Sequence, residues 1–154
     1  MGQRWRAVGV LAAALFAVNV VARLVTRFAF PDDDTASGRV SLAMFLVIGL
    51  ILAGAAFRWG AGQPVGRWAG ELAAAVVVAL ALTVFVGPLV VGENPFGGGA
   101  GLFFAQIWLY LAATAAGVLV GYLILTALGR DYRSRQLKRY AEMKRVRPRR
   151  IIRR

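Results

Sequence analysis

Residues 72–91 read LAAAVVVALALTVFVGPLVV, a run of twenty without a single charge. A helix rises about 1.5 Å per residue and a bilayer core is about 30 Å thick, so a run of this length spans one. It does not alternate polar with apolar residues, which excludes a strand of a membrane barrel. Three further stretches share its character: Ala7–Phe30, Val40–Phe57 and Leu102–Leu128. The stretch at 40–57 is just long enough to cross. The one at 102–128 exceeds the need, so it should tilt or project past the interface. The expected fold is all-α, an integral membrane bundle of four transmembrane helices over about 7–30, 40–57, 72–91 and 102–128. These make one domain, 1–129, followed by a basic tail, 130–154.

Composition agrees. The chain has 154 residues, 59% of them hydrophobic and 17% charged, with a mean hydropathy of +0.64. Soluble domains are about 45–50% apolar and about 25% charged, so a soluble globular fold is excluded, as is disorder over most of the length. Neither Cys nor His occurs. That removes disulfides, thiol catalysis, zinc sites of the usual kind and imidazole acid–base chemistry. No set of acid, base and nucleophile can be assembled from what remains, so the chain is not expected to be an enzyme or to need a cofactor.

The net charge is +12, and residues 130–154 hold 12 of the 19 basic residues against Asp131 and Glu142. A basic tail on an apolar body points to anionic lipid headgroups first, through Arg130, Arg133, Arg135, Lys138 and Arg139, and only weakly to nucleic acid. Leu137, Tyr140, Ala141 and Lys144 recur at helical spacing, so a short helix is expected in the tail, ending at Pro148. Only Lys138 and Lys144 are lysines. The arginine excess, with so much Ala, Gly and Val, fits the codon bias of a GC-rich, bacterial genome.

The positive-inside rule sets the expected topology. With both termini in the cytoplasm, 16 basic residues lie inside and only Arg23, Arg27 and Arg39 outside. Trp5, Trp59 and Trp68 then fall at the inner interface of a plasma membrane, as anchors. Arg4, Arg6 and the run to Ala22 also fit a signal peptide cut after Ala22. The apolar core is long for one and continues to Phe30, so a retained first helix is expected.

Four features are candidates for function. Asn19, Arg23 and Arg27 stand at i, i+4 and i+8, near one helix face. Intramembrane charge is costly and often functional, so this stripe fits contact with an anion or a lipid phosphate. The plainer reading is snorkelling to the outer headgroups or pairing with Asp32, Asp33 and Asp34. Those three carboxylates lack a second acidic cluster and read as a solvated turn rather than a metal site. Glu71, near the start of the third span, reads as a helix N-terminal charge with Arg67 as partner. Ala113, Gly117 and Gly121 form a small-residue face, echoed by Gly49 and Ala53, that closes the bundle or binds another subunit. Gly87-Pro88 should bend the third span.

The motifs of small four-span families such as fluoride channels and small multidrug exporters are absent. The leading expectation is a non-enzymatic accessory or scaffold subunit of a cell-envelope complex, with a membrane-protein partner or a second copy of itself. The alternative is a small oligomeric channel, holin-like protein or transporter that uses the Asn19/Arg23/Arg27 stripe.

Overall fold

The computed structural model describes residues 2–146, and every regular element in that range is helical. Helix α1 spans Gly2–Ala29, α2 Asp34–Gly60 and α3 Val65–Ala81. A π-helical turn, Leu82–Val86, carries α3 into the short α4, Gly87–Val90. Helix α5 spans Gly99–Ala127 and α6 Tyr132–Val146. Four of these helical rods are long and apolar enough to cross a membrane, those containing α1, α2, α3–α4 and α5. Each span begins before its apolar stretch, and α2 also runs past the end of its own, because the helical backbone continues wherever its own hydrogen bonds continue. The link between the second and third spans shrinks accordingly to residues 61–64.

The tightest seam joins α2 to α5, which run parallel. A Cβ on Gly117 would fall on the Gly49 carbonyl oxygen and 2.7 Å from Gly49 Cα; one on Gly121 would meet the Ala53 carbonyl oxygen and stand 2.7 Å from Ala53 Cα. The small residues let the two backbones touch, as such faces do. Ala113 extends the seam, its carbonyl 3.8 Å from a Cβ on Gly49. At the far end of the seam, Leu125 and Trp68 close over Gly60. Trp68 is thus no interfacial anchor. It is buried, with its ring 5.7 Å from that of Tyr122, because α3 begins before the apolar run and carries Trp68 into the bundle. Trp5, by contrast, is exposed. Glu71 sits in the second turn of α3, past the first turn where a helix N-terminus acts on charge.

Helix α1 packs against α2 and α3. Their shared core holds Leu15, Ile48, Leu52, Ala56, Ala75 and Ala79, all at zero exposure. Pro88 lacks the N–H that an α-ladder requires. Ahead of it the ladder widens, and Gly87 N–H donates to the Leu82 carbonyl five residues back. The expected bend is therefore met by a π turn, a form often found at functional sites.

After α4, the chain stops at a glycine in the left-handed region. Gly92 has φ +73°, with Gly92 N–H bonded to the Leu89 carbonyl and Glu93 N–H to that of Pro88. This pairing satisfies the last carbonyls and turns Glu93 back over the helix end. Phe96 stacks on Phe103 at 5.2 Å and pins the connection to α5. Gly129, φ +60°, ends α5 in the same way. Asp131 then starts α6 by accepting from Ser134 N–H at 3.3 Å, and the hydrogen bonds from Ser134 hold its carboxyl below the usual carboxylate range. Pro148 lies outside the described residues.

Candidate polar cavity at the end of the bundle

The end of the bundle where α1 meets α2 and α4 meets α5 holds a cavity of about 650 Å³. It is termed the mouth end below. Asn19, on α1, is 2% exposed. Its Nδ2 donates to the Met44 sulfur of α2 at 3.1 Å, and its Oδ1 accepts from Arg23 Nε at 3.1 Å. Thioether sulfur is a weak acceptor, so Asn19 spends its best hydrogen bond on orienting Arg23. The other end of that guanidinium faces Glu93, with Nη1 3.9 Å from Oε2. Gly87 makes this approach feasible: a Cβ there would stand 3.1 Å from both Arg23 Nε and Asn19 Oδ1.

Arg27 lies one turn nearer the mouth and is exposed. Among the described residues it makes no ion pair, and it rests beside Gly92, whose Cβ position is 3.7 Å from Arg27 Nη1. The expected stripe is therefore one wall of the cavity, and all three of its residues line it. The aspartates do not answer it. Asp33 caps α2, its Oδ1 accepting from Ala36 N–H at 2.9 Å. Asp32 and Asp34 are exposed and do not line the cavity. The carboxylate that meets Arg23 comes from Glu93, 70 residues along the chain, because the left-handed Gly92 turns it inward.

Each of the four spans contributes one residue to the floor: Asn19, Met44, Thr83 from the π turn, and Tyr110. Thr83 and Tyr110 are each 1% exposed, and neither hydroxyl has a hydrogen-bond partner among the described residues. An orphaned buried hydroxyl costs about 1–3 kcal/mol. Two of them on one floor mark a place kept polar despite that cost. One helical turn deeper on each span stand Leu15, Ile48, Ala79 and Thr114, all buried. The cavity is a cup with a closed base.

Gln106, Tyr110 and Thr83 escaped the sequence reading as site residues. A signal for the first two was present: Gln106 and Tyr110 continue, at i and i+4, the face that carries Ala113, Gly117 and Gly121. That face does two jobs, close packing in its lower half and cavity lining in its upper half. The small residues themselves take no part in the cavity. The basic residues Arg130, Arg133, Arg135, Lys138 and Arg139 lie apart from it, around α6, which leaves Leu137, Tyr140 and Met143 exposed.

No protein-family model, curated protein or solved structure matches the chain.

Proposed function

We propose that this chain is a non-enzymatic multi-pass membrane protein that binds an anion in the mouth-end cavity. The observation that carries the reading is a charge imbalance in a confined place. Two guanidiniums, Arg23 and Arg27, line the cup against one carboxylate, Glu93. Low local dielectric magnifies that excess positive charge, and the orphaned Thr83 and Tyr110 hydroxyls supply neutral donors beneath it. From the alternative this reading keeps the Asn19/Arg23/Arg27 stripe, all of which lines the cavity. The accessory-subunit reading rested on the absence of catalytic groups and on small-residue faces, and the face at Gly117 and Gly121 is filled by α2 of the same chain. The closed layer below the floor favours a binding cup over an open pore.

The test is thermal stabilisation of the purified protein by inorganic phosphate, with chloride at equal ionic strength as control. Ligand binding to the folded state raises the melting temperature by mass action. Wild type should respond to phosphate, and Arg23→Gln with Arg27→Gln should lose at least about tenfold in apparent affinity, since charge-assisted hydrogen bonds contribute about 1.5–3 kcal/mol each. Equal responses of the two proteins would refute an anion site at these arginines.

In the bilayer, the distribution of Lys and Arg favours cytoplasmic termini and a mouth at the opposite face of a plasma membrane. Helix α6 then lies on the cytoplasmic leaflet, with Leu137 and Tyr140, 69% and 66% exposed, toward the acyl boundary and its basic residues among anionic headgroups. Amide hydrogen exchange over 132–146 should slow in vesicles containing phosphatidylserine, relative to phosphatidylcholine alone. The difference should shrink in 1 M salt, where charges are screened beyond about 3 Å. Exchange indifferent to lipid charge would remove this role for the tail.

A further inference from the structure

The cup is open on its side as well as at its mouth. Leu102, Ala105 and Leu109 of α5 line the cavity and are exposed at the same time, as is Ser41 of α2. The α2–α5 register fixed by Gly49 with Gly117 and Ala53 with Gly121 sets Ser41 level with Leu109 and Ser37 level with Ala105. These pairs mark the margins of a cleft between the upper halves of α2 and α5. The small-residue seam closes the two helices below it. Leu102 and Leu109, 68% and 57% exposed, continue from the cleft onto the outer face of α5.

We infer that the ligand is a lipid phosphate, with its charged group in the cup and its acyl chains leaving through the α2–α5 cleft. This rests on the anion-binding reading above and adds the class of molecule. The first argument is complementarity along the cavity. It is basic at the α1 wall, where Arg23 and Arg27 stand one turn apart, and apolar along the exposed margin of α5, where Leu102, Ala105 and Leu109 stand. A free anion needs the first wall alone. An amphiphile uses both and is already dissolved in the surrounding medium. The second argument is charge. Two arginines against Glu93 leave one positive charge, which a singly charged phosphodiester neutralises. Guanidinium forks match phosphate oxygens in geometry as well as in sign. The third is the donor set: the Tyr110 and Thr83 hydroxyls and the Gln106 amide line the same space and can donate to phosphate or glycerol oxygens.

Three probes separate the sources of the anion, each added to delipidated wild-type protein in a neutral detergent. Dioleoyl phosphatidylglycerol carries charge and tails, dioleoylglycerol carries tails alone, and inorganic phosphate carries charge alone. Thermal stabilisation is the readout. Phosphatidylglycerol should act at concentrations at least about tenfold below those needed for inorganic phosphate, and dioleoylglycerol should not act. Phosphate acting as well as the lipid would overturn the lipid assignment and leave the anion cup standing. Dioleoylglycerol acting as well as phosphatidylglycerol, or no probe acting, would overturn the anion cup itself. Location is tested with a phosphatidylglycerol bearing a photoreactive group near the glycerol end of one acyl chain. Its crosslinks should concentrate on residues 102–109 and be displaced by unlabelled lipid. Labelling spread evenly over the four spans would sink the cleft.

Discussion

Gly121→Leu should dismantle the bundle. A Cβ at this position meets the Ala53 carbonyl oxygen and lies 2.7 Å from Ala53 Cα and 2.8 Å from its carbonyl carbon. All three are backbone atoms in the middle of a helix, so no side-chain rotation relieves the clash. Only separation of α2 from α5 does, and the separation would also loosen Gly117 from Gly49 one turn away. Overpacking a core costs about 1–3 kcal/mol where side chains can shift. Here the loss should exceed about 3 kcal/mol, a large part of the 5–15 kcal/mol that holds a typical fold together. Thermal melting followed by circular dichroism and by size-exclusion profile in detergent measures it. Gly54→Ala provides the control within the same seam-forming helix. Its Cβ would meet nothing within 4 Å, and loss of glycine flexibility should stabilise by about 0.4–1 kcal/mol. A Gly121→Leu protein that melts with wild type would mean that α2 and α5 do not touch along this face.

Tyr110→Phe should separate stability from binding. The phenol is 1% exposed and its hydroxyl has no partner among the described residues. Deleting that oxygen keeps the ring, its packing and its volume, and removes a polar group that gains nothing in the empty protein. The ligand-free variant should therefore be at least as stable as wild type, with a gain of up to about 1 kcal/mol. Its affinity for the anion should fall by about tenfold, the value of one hydrogen bond to a charged acceptor. Melting curves with and without phosphate report both quantities on one sample. A variant that loses stability and keeps affinity would assign the hydroxyl to the scaffold and take it out of the site. Function commonly opposes stability in this manner, where a polar group is held ready for a partner.

The four spans were legible because length and hydropathy alone decide them. The pairing of Gly117 and Gly121 with α2 was half legible. The spacing announces a close contact, but nothing in an Ala- and Gly-rich chain says with what. Arrangement was not legible, since spans that are apolar all round carry no face that points inward. The cavity fell in the same blind spot. Asn19, Arg23 and Arg27 were visible as one amide and two charges in an apolar helix. Their counterpart Glu93 was hidden behind a backbone event, the positive φ of Gly92, and Tyr110 looked like one more aromatic residue. Trp68 misled because a tryptophan at the edge of an apolar run reads as an anchor, whereas its helix starts earlier and carries it inside.

The parallel α2–α5 seam also has a consequence for how the chain is made. Its two halves, Gly49 and Gly117, are 68 residues apart. At roughly 5–20 residues per second, α2 emerges roughly 3–14 s before the surface that will cover it. During that interval a strip of bare backbone faces the lipid, open to any other helix with small residues along one side. The fold is locked when α5 arrives, so a nascent chain arrested before α5 leaves the Gly49–Ala53 face of α2 uncovered.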